Sequence, residues 1–99
     1  MALTGEDLTA LVTEAKKWLR ISASSEDDEI GQTINACLAD LSNAGVIKID
    51  TSDALIRQAI KLYLKSQYGY DADAEKFSKS YEFLKSSLSL SGDYGNGQS

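Results

Sequence analysis

The stretch "SSEDDEIGQTINACLADLSNAGV" (residues 24–46) decides the fold because it has the pattern of a half-buried helix. Its acidic run follows Ser25, the expected N-cap, and lies in the first turn, where the helix dipole favours negative charge. Gly45 is expected to end the helix in the left-handed conformation, with Val46 as the apolar residue beyond it. The apolar residues at helical spacing are Ile30, Ile34, Cys37, Leu38 and Leu41.

A glycine interrupts this helix at residue 31. Gly31 costs about 1 kcal/mol relative to alanine inside a helix. It either permits close packing against another helix or is a weak point, and the pattern alone leaves both open.

Three further segments have helical periodicity. The first follows Thr4, a possible cap, and its apolar residues are Leu8, Leu11, Val12, Ala15, Trp18 and Leu19. The next begins near 51–53, and its predicted inner side carries Leu55, Ile56, Ala59, Ile60, Tyr63, Leu64 and Tyr68. The last runs from about Ala74 to Leu90 after a stop at Gly69 and a cap at Asp71 or Asp73, with Phe77, Tyr81, Leu84 and Leu88 on one side.

These patterns predict an all-α fold, a small bundle of about four helices in a single domain over residues 1–91. The first three helices are expected to form most of the core, with the fourth more variable in placement. Residues 46–50 (VIKID) alternate like a strand but have no second strand to pair with, so we predict an extended link after the second helix. Residues 92–99 are glycine-rich and polar, which predicts a flexible, disordered C-terminal tail.

The residue inventory argues against an enzyme or a metal protein. The chain of 99 residues has no histidine and one cysteine, so it cannot build a histidine-dependent catalytic relay or an ordinary zinc site. Residues 71–82 (DADAEKFSKSYE) resemble a calcium loop, but Lys76 stands where that loop needs glycine. The carboxylates of the run 26–29 diverge around a helix and cannot converge on one ion. We therefore predict no catalytic residues, no metal and no cofactor.

The ends of the chain and its hydropathy indicate no membrane association. No apolar run is long enough to span a bilayer, and the N-terminus lacks the features of a signal peptide. The single cysteine suits a reducing compartment. We therefore expect the protein to be made and used in a cytoplasm.

Charge is distributed unevenly along a chain of net charge −5. Residues 21–47 contain no lysine or arginine, whereas Arg57, Lys61 and Lys65 recur every four residues and form one basic stripe on the third helix. The stripe is either a solvated face or a docking surface for an acidic partner, including the acidic helix start of a second copy. The candidate interface residues are Glu26, Asp27, Glu29, Arg57, Lys61, Lys65, Tyr68 and Tyr70.

Two other function classes remain open at this point. Residues 34–49 have the outline of a helix leading into a winged-helix hairpin, which would suit a small DNA-binding regulator, although a recognition helix without cations faces phosphates poorly. A monomeric protein-interaction module is the second alternative.

The order of the helix ends and aromatic turns resembles one family. The segments that carry the resemblance are Leu19-Arg20-Ile21, Asp27-Asp28-Glu29-Ile30 with Ile34, Ala59-Ile60-x-x-Tyr63, Tyr68-Gly69-Tyr70 and Ala74-Glu75-Lys76-Phe77. Over roughly residues 8–90 the chain is similar to the head–tail connector, or DNA-packaging adaptor, proteins of long-tailed bacteriophages and prophages.

This resemblance implies a structural virion protein. Such adaptors self-associate into a ring under the portal protein, extend the DNA channel, complete the head after packaging and offer a docking surface to the tail-side completion (stopper) protein. They carry no catalytic residues. The resemblance implies a place at the head–tail junction of the virion, with assembly in the bacterial host cytoplasm. On separate grounds, an acidic channel wall would let DNA pass without sequence-specific binding, because it does not grip phosphates.

Overall fold

The structure, a computed structural model, describes residues 3–68 and 72–95 of the chain. In these residues it has four α-helices: α1 (Gly5–Leu19), α2 (Asp27–Asn43), α3 (Ala54–Tyr68) and α4 (Ala72–Leu90). A single 3₁₀ turn, Ser24–Glu26, leads into α2. The all-α prediction is confirmed, and the four helices lie close to where their apolar periodicity placed them.

The start of α2 differs in detail from the prediction. Ser25 lies inside the 3₁₀ turn, and Glu26 occupies the position before the helix, without a side-chain capping hydrogen bond. Asp27, Asp28 and Glu29 do form the first turn, so the dipole argument is confirmed while the predicted serine cap is wrong.

The end of α2 follows the prediction closely. Gly45 adopts a φ of 102°, in the left-handed region that glycine enters without strain. The Val46 N–H donates to the Leu41 carbonyl over 3.0 Å, and the Val46 side chain is buried. This six-to-one bond and its apolar contact are the features of a Schellman ending.

Helix α2 supplies the largest part of the core, because one side of it is buried along its whole length. Its buried residues are Ile30, Gly31, Ile34, Cys37, Leu38 and Leu41. Against them pack Leu11, Val12 and Ala15 of α1, Ile56, Ala59, Ile60 and Leu64 of α3, and Tyr81 and Leu88 of α4. Helix α1 packs next to Gly31: an added Cβ would lie 3.4 Å from Leu8 Cδ2, which is close to an ordinary van der Waals contact with the end of a flexible side chain.

Helix α3 begins with a side-chain cap. The Asp53 carboxylate accepts hydrogen bonds from the backbone N–H groups of Leu55 (3.0 Å) and Ile56 (3.3 Å), and the helix begins directly after it, close to the predicted start near 51–53. Leu55, which we predicted on the inner side, is instead 43% exposed, whereas the next residue, Ile56, is fully buried, because consecutive side chains point about 100° apart around a helix.

Helix α4 packs along α3, and the rings of Tyr63 and Tyr81 meet edge to face with centroids 5.0 Å apart. Helix α4 also contributes Tyr81 and Leu88 to the core, while the expectation that its placement varies stays a prediction. Asp73 lies inside the first turn of α4 rather than before it, whereas Gly69 and Asp71 lie outside the described residues.

The link after α2 is held by the segment that follows α4. Val46 forms an isolated antiparallel bridge with Gly95, and the Tyr94 carbonyl accepts the N–H groups of Ile47 (2.7 Å) and Lys48 (2.9 Å). The Tyr94 hydroxyl donates to the Asp53 carboxylate over 3.0 Å. Only glycine fits at residue 95, because a Cβ there would collide with the Ser89 backbone.

This contact changes two expectations. Residues 92–95, predicted as part of a flexible tail, form a turn against the link, and the tail prediction stays a prediction for residues 96–99, which are not described. The winged-helix alternative needs a β-hairpin after α2, and in residues 46–50 the structure has a single bridge to Gly95 instead.

A network of hydrogen-bonded side chains connects α2 to α4 beside the core. The Tyr81 hydroxyl donates to Asp40 Oδ2 over 2.7 Å, and Lys85 Nζ donates to the same oxygen over 2.9 Å. Burial opposes the charge on Asp40, but these two hydrogen bonds hold its pKa below the ordinary value. The Cys37 thiol donates to the Tyr81 hydroxyl over 3.8 Å, and burial raises the pKa of Cys37 to about 12. The thiol is therefore protonated and unreactive at neutral pH.

We predict that Tyr81→Phe lowers the free energy of unfolding by about 1 kcal/mol at neutral pH, because it removes one charge-assisted hydrogen bond to Asp40. Urea unfolding monitored by circular dichroism measures this. Tyr63→Phe is the matched control, since the Tyr63 hydroxyl has no hydrogen-bond partner among the residues that the structure describes.

The free energies of unfolding of the Tyr81→Phe and Tyr63→Phe variants can also be compared as a function of pH. The pKa of Asp40 is lowered in the folded state, so its stabilising contribution exists above the ordinary carboxyl pKa and is lost as the pH falls through the lowered value. The penalty of Tyr81→Phe should therefore shrink below about pH 4. An equal penalty for both tyrosines at neutral pH would contradict the role given to the hydrogen bond.

Candidate interaction surfaces

The acidic side chains at the start of α2 have two different environments: one is paired within the chain and others stay at the surface. Asp27 Oδ1 lies 2.8 Å from Lys16 Nζ of α1, so the two side chains form an ion pair. The pair lacks the geometry of a hydrogen bond, and this buried oxygen therefore accepts none. Glu29 is exposed and lies one turn before Thr33, whose hydroxyl is 3.5 Å from the Tyr68 hydroxyl of α3. Asp27 is thus committed within the chain, while Glu29 is exposed near the end of α3 and Glu26 is half-buried in the 3₁₀ turn.

The basic stripe of α3 packs against aromatic rings instead of standing free in solvent. Arg57 lies over the Trp18 ring, 5.5 Å from its centroid, and 3.7 Å from the Glu14 carboxylate. Lys65 lies over the Phe77 ring at 5.2 Å. Lys61 is half-buried between these two cations, one helical turn from each.

The C-terminal end of the stripe, at Lys65, lines a surface cavity together with residues of α1 and α4. Its volume is about 440 Å³, and its lining combines two cations, Arg20 and Lys65, with the rings of Trp18, Tyr68 and Phe77 and with Asp73 and Leu19. Lys65 and Tyr68 of the candidate interface, three residues apart on α3, both line this cavity. Tyr70 lies outside the described residues.

Sequence reasoning missed Trp18, Arg20 and Phe77 as parts of this surface. Trp18 and Phe77 were assigned to apolar stripes, but each lies at the edge of its helix and stays partly exposed. Arg20 ends α1 with a φ of 58°, a left-handed conformation that costs a non-glycine residue about 1 kcal/mol. The sequence signal that could have identified Arg20 is that it stands at a helix end where glycine is usual.

Exposed apolar side chains form a separate feature. Phe83 is 77% exposed and Leu90 53% exposed, both on α4. The structure points Phe83 away from the core, because this residue lies about 200° around the helix from the buried Tyr81.

The described residues offer no chemistry of a catalytic or metal centre. Among residues 3–68 and 72–95, no three His, Cys, Asp or Glu side chains are grouped as a metal site requires. The calcium-loop resemblance of 71–82 fails because residues 72–90 are one continuous helix. In the same part of the chain, no helix is long and apolar enough to cross a membrane.

Comparison with known proteins identifies the family. The family model described as "Phage connector protein" matches residues 11–95, which covers all four helices apart from the first turn or two of α1 and includes the turn after α4. No curated protein and no solved structure matches the chain. The protein therefore belongs to the phage connector family and has a structural role in the phage particle.

Proposed function

We propose that this protein is a ring-forming head–tail connector that docks on the portal protein, extends the DNA channel and completes the head after packaging. The observation that carries the proposal is the connector family match over residues 11–95. The ring would lie at the head–tail junction of the virion, assemble in the host cytoplasm and present its far side to the tail-side completion protein.

The charge of α2 supports passage of DNA through such a ring. Residues 21–47 carry five acids and no lysine or arginine. A surface of this kind repels phosphates and therefore does not hold DNA in place. Sequence-specific DNA binding is not expected from this helix.

Contacts between neighbouring copies would use the charged surfaces that the chain does not fully satisfy within itself. Asp27 and Arg57 already have partners in the same chain, Lys16 and Glu14. The proposed contact therefore rests on Glu26 and Glu29 of one copy and on Lys61 and Lys65 of the next, with Tyr68 and Tyr70 beside them. Two different complementary faces are what a head-to-tail ring requires.

The strained conformation of Arg20 supports a partner at the cavity beside this stripe. Glycine in place of Arg20 would relieve the left-handed strain, yet the chain has a cation there, next to Lys65 and two exposed ring edges. Arginine and aromatic side chains are enriched in protein interfaces.

Native mass spectrometry of the protein with and without the portal protein of the same phage tests the proposed function. We expect a complex in which several copies bind each portal ring. A portal that binds no copy, or a protein that binds DNA in a salt-sensitive gel shift and ignores the portal, would contradict the proposal.

A charge reversal in the same measurement tests the contact between copies. We predict that Lys61→Glu with Lys65→Glu strongly reduces the number of copies bound, because acids would then face acids. The control with the same change in net charge is Lys17→Glu with Lys48→Glu, two exposed lysines outside the stripe. Adding Glu26→Lys and Glu29→Lys to the reversed stripe should restore binding, whereas unchanged assembly of the first variant would exclude this contact.

A further inference from the structure

The outer face of α4 presents an aromatic side chain that the fold does not use. Phe83 and Leu90 lie seven residues apart and therefore on the same side of the helix. Leu90 lies nine residues, or about 2.5 turns, from the buried Tyr81, so this side is opposite the core. Lys76 and Lys79, both exposed, precede Phe83 by seven and four residues on the same face.

A groove between α1 and α2 has the complementary character. Its volume is about 330 Å³, and its apolar floor is made by Leu8, Val12 and Gly31. Gly31 makes room there, because it has no side chain to fill the space between the helices. Asp27 and Asp28 stand at one end of the groove.

The groove and the α4 face lie on opposite sides of the molecule. Gly31 and Asp40 are nine residues apart, about 2.5 turns, so they point in opposite directions from α2. Tyr81 and Lys85 of α4 are bound to Asp40. Helix α4 therefore packs on the side of α2 that faces away from the groove, and one chain cannot bring Phe83 into its own groove.

The charges and their spacing match between the two surfaces. Lys79 precedes Phe83 by four residues, about 6 Å along its helix, and Asp28 precedes Gly31 by three residues, about 4.5 Å. Asp28 is exposed, and the Lys79–Glu75 pair is weak, since both side chains are more than 70% exposed. A helix laid along the groove can therefore bring its lysines to the acidic end of the groove and its aromatic ring to the apolar floor together.

We propose that Phe83 of one copy inserts into the α1–α2 groove of a second copy, with Lys76 and Lys79 facing the exposed Asp28 at the end of that groove. This inference rests on the proposed ring and names one of its contacts. The contact joins two different surfaces on opposite sides of the chain, so it can repeat from copy to copy and close into a ring.

Cross-linking between two singly substituted proteins tests the contact. Ser87→Cys places a thiol one turn beyond Phe83 and keeps the ring, and Gln32→Cys places a thiol on the exposed wall of the groove. The native Cys37 is buried and stays unreactive. Equal amounts of the two proteins are assembled on the portal, treated with a short bismaleimide and examined by mass spectrometry. Ser87→Cys with Ser42→Cys, an exposed position on α2 beyond the groove, is the control pair.

We expect a covalent dimer of the Ser87→Cys and Gln32→Cys proteins and at least fivefold less of it with the control pair. Phe83→Ser should raise the concentration needed for half-maximal assembly by about tenfold or more, because one buried aromatic ring is lost. Leu55→Ser, which also removes an exposed apolar side chain, should leave that concentration unchanged.

The outcomes separate this contact from the proposed function. A ring that forms on the portal without the cross-link, or that assembles equally well with Phe83→Ser, overturns the contact and leaves the connector function standing. Failure of the wild-type protein to assemble on the portal overturns both. Folding of each variant is checked by circular dichroism, and Phe83→Ser is expected to fold because Phe83 makes little contact with its own chain.

Discussion

The burial of one complete side of α2 is the constraint on which the other helices depend. Ile30, Ile34, Leu38 and Leu41 have no exposed surface, and α1, α3 and α4 all contribute side chains that cover them. Removing these side chains from water contributes about 2 kcal/mol each. In the part of the chain that the structure describes, the buried side chains form one cluster, so no second core compensates for their exposure. Two contacts help to cover this side of α2. Helix α1 packs close to it at Gly31, and the hydrogen bonds of Asp40 attach α4 at its other edge.

Different parts of the α2 surface consequently make different contacts. The side with Asp40 is tied to α4, the edge with Gly31 forms the floor of a groove beside α1, and the acids of the first turn divide between Lys16 and the open surface near Tyr68. An acidic helix without cations suits a component of a DNA channel, and the connector family match gives that character its biological setting. Two of the basic residues of α3, Arg57 and Lys65, lie over aromatic rings, which favours these positions in the isolated chain.

Periodicity was sufficient to predict the four helices and most of the core, because a helix in a small domain must bury one stripe and each stripe was visible. The Gly45 ending of α2 was predictable for the same local reason, since its signal lies within six residues. What depends on distant contacts was not predictable. The turn at 92–95 packs on a link almost fifty residues earlier, and α4 is fixed by Tyr63 and Asp40 on two other helices. The candidate interface shows the same division: the stripe was visible as a spacing, whereas its pairing with Trp18 and Phe77 needed the fold.

A cryo-EM map of the protein bound to its portal measures the central claim most directly. The account predicts a closed ring of copies under the portal, with α4 of each copy lying against the α1–α2 surface of the next and the acidic start of α2 near the channel or the neighbouring copy. A portal that carries isolated copies without contact between them, or none at all, would contradict it.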